Sequence, residues 1–175
     1  MIYYNKNGLT VRKMCRSDAD VFVTEEIAQG WHPEISKYLT RLKDMEEGNC
    51  IALTAEFKGE PAGYVNVYFD GKGGIFGKKG IPEIVDFGVL EKYRRRGIGS
   101  VLMDTAEQIA KERSDVVYLA VGLHGGYGSA QRMYVKRGYL PDGTGAWYGN
   151  KPCEPYEDTY PLDDDLVLYL SKKLR

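Results

Sequence analysis

An apolar run at Ile84, Val85, Phe87 and Val89 feeds a basic, glycine-containing turn, and an amphipathic segment follows at once. The turn reads Arg94-Arg95-Arg96-Gly97-Ile98-Gly99-Ser100. A strand, a short turn and a helix in this order constrain the chain more than any other feature. A helix N-terminus carries unpaired backbone N–H groups and partial positive charge, and glycines there let an anion approach the main chain. The segment reads as a diphosphate cradle, which points to a nucleotide-containing ligand.

The remaining periodicities place this unit in a larger order. A strand is predicted over 9–14, then a helix from a cap at Ser17 or Asp18 to about Gln29. Gly30-Trp31-His32-Pro33 breaks it, and a second helix covers about 34–47. Strands follow over 50–57 and 62–69, around a turn at 58–61. The glycine- and lysine-rich stretch 70–80 reads as a mobile or substrate-facing loop. Next come a strand over 84–90, a helix over 98–111, a strand over 116–123 buried on both faces, and a helix over 129–136 closed by Gly138. Two strands, over 145–148 and 166–170, flank an acidic segment at 154–165. The order β-α-α-β-β-β-α-β-α-β-β predicts an α/β fold in a single domain over 1–175. Its sheet is mixed and mostly antiparallel, with about seven strands and about four flanking helices, and is distinct from a doubly wound Rossmann sheet.

Composition excludes several classes. The formal net charge is −1, so the arginines are a local patch and a nucleic-acid partner is not expected. Three cysteines without a CxxC pair predict neither a disulfide framework nor a metal site, and fit reduced thiols in a cytoplasmic setting. No signal peptide or spanning segment is visible, so no membrane partner is expected.

Spacing separates the phosphate motifs. Leu102 stands where the dinucleotide fingerprint needs a third glycine or alanine, and the 73–79 stretch is one residue short of a Walker loop with Lys79 in place of Ser or Thr. What fits is R-x-x-G-x-G at Arg94, Gly97 and Gly99, with a second element, Ala130-Gln131-Arg132-Met133-Tyr134-Val135-Lys136-Arg137-Gly138-Tyr139. Together they resemble the GNAT (Gcn5-related N-acetyltransferase) superfamily, whose second element reads A-x-x-L-Y-x-K-x-G-F. The resemblance covers the whole element order, with specific motifs from about Glu83 to Tyr139.

The resemblance implies a GNAT-like fold that binds acetyl-CoA as cosubstrate in an opening between the 84–90 and 116–123 strands. Backbone groups of Phe87, Gly88 and Val89 would pair with the pantetheine arm like an added strand. Backbone N–H groups from Arg94, Arg95, Arg96, Gly97, Ile98, Gly99 and Ser100 would hold the pyrophosphate, and the arginine side chains either assist or form a solvated basic turn. Tyr127 departs from the asparagine common in the family three residues before Ala130. Tyr134 matches the tyrosine that protonates the departing thiolate. Glu83, eleven residues before Arg94, matches the general-base glutamate of histone-type members, against the alternative of a solvated strand-edge glutamate. Asp86 is a competing carboxylate, placed by strand alternation on the opposite face from Glu83 unless a bulge intervenes. His124 is a further candidate near the acceptor. Lys136 and Arg137 are either 3′-phosphate ligands or ordinary helix C-terminal cations.

The function implied is transfer of an acetyl group from acetyl-CoA to a primary amine, carried by a small molecule or a peptide. No recognisable Cys-His constellation is present, so direct attack in a ternary complex is expected. The rival is a non-catalytic acyl-CoA-binding or regulatory module on the same fold. A homodimer is compatible with the family. The carboxylates Glu154, Glu157, Asp158, Asp163, Asp164 and Asp165 would attract a cationic amine if they fold beside the site, or else form a solubilising face.

Overall fold

The computed structural model describes residues 1–156 and 158–174. The chain divides into two compact units, 1–68 with 84–109 and 69–83 with 110–174.

In the first unit the strands neighbour one another in the order β1 (Ile2–Lys6), β2 (Leu9–Lys13), β3 (Cys50–Phe57), β4 (Glu60–Tyr68) and, apart from its first residue, β5 (Glu83–Val89). The pairings from β1 to β4 are antiparallel. Two of the connections are two-residue hairpin turns with both central residues in the left-handed region. Asn7 and Gly8 have φ of 54° and 75°, and Lys58 and Gly59 have φ of 54° and 88°. Such turns match the right-handed twist of the strands they join. The second turn is therefore tighter than the predicted 58–61 connection, and β4 begins at Glu60. Strand β1 was not anticipated.

Helices α1 (Arg16–Ala28) and α2 (Ile35–Glu46) belong to this unit, as does all but the end of α3 (Ile98–Lys111). The cap of α1 is Cys15, not Ser17 or Asp18. Asp18 sits three residues in and accepts the Cys15 N–H at 2.8 Å, while Arg12 forks onto both its oxygens at 2.7 and 2.8 Å. Thr54 adds a third donor at 2.9 Å. The carboxylate is thereby drawn inward to pin α1 onto β2 and β3. Next to it, the rings of Phe22, Tyr38 and Tyr64 pack with centroids 4.9 to 5.8 Å apart, against Met14, Ala19, Ala52 and Leu90.

In the second unit the order is β6 (Val116–Gly122), β9 (Leu166–Lys173), β7 (Leu140–Tyr148) and β8 (Lys151–Pro152), all antiparallel, with α4 (Gly128–Lys136). Strand β7 starts five residues earlier than predicted. An irregularity between Pro141 and Ala146, with Gly143 and Gly145 at φ of 88° and 78°, lets it pass residues that read as turn formers. The two units hold nine strands and four α-helices among the described residues, against the seven and four predicted.

The 70–80 stretch is a built loop. Lys78 donates to the Gly71 carbonyl at 2.7 Å, and Gly80 donates to Asp70 at 2.8 Å. Its glycines make room for tyrosines: a Cβ at Gly71 would lie 2.0 Å from the Tyr118 hydroxyl, and one at Gly73 would lie 2.2 Å from that of Tyr169.

Candidate active site

After β5, buried Leu90 donates to the Ala62 carbonyl at 2.9 Å, and a single 3-10 turn spans Glu91–Tyr93. Arg95 then takes φ of 64° and Gly97 φ of 79°. The Gly97 carbonyl accepts the Val101 N–H at 3.1 Å, which starts α3. Helix geometry leaves the N–H groups of Ile98, Gly99 and Ser100 without intrahelical acceptors at the positive end of the dipole. Two of the neighbouring guanidinium groups, those of Arg94 and Arg96, face protein partners. Arg94 donates through Nε to the Val89 carbonyl at 3.2 Å, lies 3.4 Å from Glu91 and sits 5.8 Å from the Trp31 ring centroid. Arg96 sits 5.3 Å from the centroid of Phe57.

The two glycines of the turn have different reasons. Gly97 needs the left-handed backbone, and a Cβ there would meet open space. Gly99 is a packing glycine, because a Cβ would come 3.1 Å from Phe87 and 3.6 Å from Val89. Phe87 and Val89 therefore form the floor on which α3 rests. Gly88 faces the other way, where a Cβ would lie 2.8 Å from the Tyr64 ring.

Within β5 Asp86 takes the left-handed backbone, with φ of 51°, and Asn66 Nδ2 donates to the Val85 carbonyl at 3.2 Å. Asp86 is held in an ion pair with Arg41 Nε at 2.7 Å, and Arg41 also donates to the Tyr68 hydroxyl at 2.7 Å. Tyr68 in turn donates to Asp44. Burial first, then the Asp44 carboxylate, pushes the Tyr68 phenol up.

In the second unit Glu83 is buried, not solvated. It accepts the Lys72 N–H at 2.9 Å and the Tyr118 hydroxyl at 3.1 Å. Burial, followed by the Glu83 charge, raises the Tyr118 phenol. Tyr134 on α4 is buried with its ring 5.8 Å from that of Tyr139, and burial pushes its phenol well above the usual range. It is a neutral O–H at neutral pH.

His124 is committed on both ring nitrogens. Nδ1 accepts the Gly126 N–H at 3.1 Å, so Nε2 carries the proton that faces Asp164 at 2.9 Å. Tyr127 also donates to Asp164 at 2.9 Å, and its ring covers Gly122, where a Cβ would lie 2.3 Å away. Asp163 accepts from Tyr148 at 3.1 Å. Glu154 and Asp158 line a cavity of about 490 Å³ with Tyr148, Lys151, Pro152 and Tyr160. Glu157 lies outside the described residues. Lys136 is exposed at the last turn of α4.

One cluster was not foreseen. Glu26, 1% exposed, accepts the Tyr38 hydroxyl at 2.8 Å and the Tyr64 hydroxyl at 2.5 Å. Lys37 Nζ donates to Tyr64 at 3.2 Å. Burial first, and the Glu26 charge with it, pushes both phenols up. The available signal was a glutamate at helical spacing from Ala19 and Phe22, in the buried stripe of α1.

Residues 15–139 match the family model described as the acetyltransferase (GNAT) family, and the chain belongs to that family. An N-alpha-acetyltransferase of Sulfurisphaera tokodaii is 30% identical over 115 residues, which cover 61% of this chain and 66% of that relative. Among solved structures, Ard1 from Thermoplasma volcanium aligns with a TM-score of 0.69 at 18% identity, over 97% of this chain and 99% of that one. Arabidopsis thaliana Naa50, solved with the bisubstrate analogue CoA-Ac-MVNAL, gives a TM-score of 0.62 at 15% identity, over 95% and 99%. At these identities the structural likeness concerns the fold. No helix among the described residues is long and apolar enough to cross a membrane.

Proposed function

We propose that this protein transfers the acetyl group of acetyl-CoA to a primary amine by direct attack in a ternary complex, with peptide α-amines as the acceptor class. The observation that carries the reading is the turn before α3. Its backbone N–H groups are available at a helix N-terminus, while Arg94 and Arg96 are occupied elsewhere. These residues fit a diphosphate held by main chain, with the N–H groups of Ile98, Gly99 and Ser100 as its ligands. The backbone of Phe87, Gly88 and Val89 would hold the pantetheine arm, and the N–H near Val89 would polarise the thioester carbonyl.

Two side chains carry the proton work in this reading. Tyr134 keeps its proton at neutral pH and would give it to the leaving sulfur. Glu83 would accept the proton of the attacking amine; its buried carboxylate is positioned by Tyr118 and the Lys72 N–H. The peptide acceptor is supported by the relative named an N-alpha-acetyltransferase and by the Naa50 complex with a peptide-bearing analogue.

The test is release of CoA thiol from acetyl-CoA across free peptides, the same peptides with blocked N-termini, polyamines, aminoglycosides and amino acids. Release with free peptides and none with blocked ones is expected. Release with small amines alone would overturn the acceptor class. A folded protein that binds CoA and acetylates nothing would favour the non-catalytic acyl-CoA-binding module.

A further inference from the structure

Asp86 stands immediately before the Phe87–Gly88–Val89 backbone, and its φ of 51° is strained for an L-residue inside a strand. Aspartate visits this region more often than most residues, but singly and in turns. A second unfavourable feature lies beside it. Asn66, 1% exposed, gives Nδ2 to the Val85 carbonyl at 3.2 Å, while its Oδ1 meets no donor among the described residues. Strain of this kind persists only where the surroundings enforce it. Here the enforcement comes from α2. Arg41 Nε donates to Asp86 Oδ2 at 2.7 Å, and its Nη1 donates to the Tyr68 hydroxyl at 2.7 Å. The Tyr68 hydroxyl in turn donates to Asp44, one turn further along α2, and its ring centroid lies 5.1 Å from the guanidinium. Arg41 and Asp86 are only 22% and 24% exposed, so water screens the pair weakly.

From this arrangement we infer that Arg41 is a positioning residue for acetyl-CoA: it holds Asp86 in the left-handed conformation that aims the Phe87–Gly88–Val89 main chain at the pantetheine arm. The inference rests on the cosubstrate assignment above. Beyond Asp86 the main chain is gripped on both sides. A Cβ at Gly63 would lie 2.7 Å from the Gly88 carbonyl, and one at Gly88 would lie 2.8 Å from the Tyr64 ring. Leu90 is tied to the Ala62 carbonyl at 2.9 Å. Asp86 is therefore the point at which the direction of this segment is set. A ligand that pairs with the segment as an added strand needs its N–H and C=O groups in one fixed register. Without Arg41, Asp86 relaxes toward negative φ and turns the peptide groups after it out of that register. If about a tenth of the molecules keep the competent strand, affinity falls about tenfold.

The experiment measures acetyl-CoA binding to the full chain by isothermal titration, with circular dichroism to verify that each variant is folded. Arg41→Met should weaken binding about tenfold. Asp86→Gly supplies a residue that takes the same φ freely, so the double variant should bind within about twofold of Asp86→Gly alone. Asp86→Asn removes the carboxylate charge but keeps the strain, and should leave the Arg41→Met loss in place. Tyr68→Phe releases only the outer end of the guanidinium. It should weaken binding about threefold, again with rescue by Asp86→Gly, and it carries the test if Arg41→Met does not fold. Wild-type affinity in the folded Arg41→Met variant would overturn the inference. So would a loss of equal size in the Asp86→Gly background, or full restoration by Asp86→Asn, which would make charge rather than backbone the cause. A wild-type protein that binds acetyl-CoA while these changes leave its affinity alone refutes this inference only, whereas one that binds none refutes the assignment beneath it as well.

Discussion

Replacing Asp18 by Asn tests how the first unit is held together. Asp18 is 2% exposed and Arg12 20%, and the pair is joined by two hydrogen bonds of 2.7 and 2.8 Å. Removing one partner of a buried pair costs about 3–5 kcal/mol, because the other charge stays behind. Arg12 keeps Glu56, which accepts its Nε at 2.9 Å, and its partial exposure lets water screen the remaining charge. The expected loss is therefore lower, about 2–3 kcal/mol, or a fall in Tm of roughly 5–10 °C for a chain of this size. The loss should depend on pH. Burial alone would raise the Asp18 pKa, but Arg12, the Cys15 N–H and Thr54 together hold it below the ordinary value. A depressed folded-state pKa contributes stability that is present above the unfolded pKa of about 3.9 and is lost as pH falls through the folded one. Urea unfolding of both proteins from neutral pH to about pH 2 should show a gap that closes below about pH 4. A gap under about 1 kcal/mol at neutral pH, or one that persists in acid, would refute the reasoning.

Three further outcomes are expected. Tyr134→Phe should lower kcat by about a hundredfold with little change in the KM for acetyl-CoA, and unchanged turnover across the pH range would remove Tyr134 as the acid. Gly97→Ala should cost about 1 kcal/mol of stability from backbone strain and weaken CoA binding in isothermal titration; affinity equal to wild type would show that the turn geometry is irrelevant to the ligand. Gly63→Ala should destabilise by about 2 kcal/mol or more in thermal unfolding, since its Cβ would come 2.7 Å from the rigid Gly88 carbonyl, and a variant as stable as wild type would contradict that close strand approach.

Strong periodicity and punctuation were legible. The limits of β3 and α3 agree with the sequence reading, because an apolar strand bounded by turn residues and a one-faced helix after a glycine turn leave little choice. Strand β1 was missed because it is only five residues long and Ile2-Tyr3-Tyr4 does not alternate apolar with polar, although Asn7-Gly8 is itself a hairpin signal. Strand β7 was shortened because Pro141 and Gly143 read as breakers, and only the tertiary fold shows that an irregularity in the pairing absorbs them. The left-handed backbone at Asp86 was beyond sequence reading, since nothing about Asp86 as a residue type demands a positive φ. At the candidate site, the turn and Tyr134 were legible from motif spacing. The environments of Glu83 and Glu26 were not, because their hydrogen-bond partners lie 11 to 38 residues away along the chain.

The cosubstrate assignment is tested most directly by a crystal structure of the protein with bound CoA. The predicted result is a pyrophosphate within hydrogen-bonding distance of the N–H groups of Ile98, Gly99 and Ser100, with Arg94 still turned to the Val89 carbonyl. A pyrophosphate bound away from this turn would contradict it.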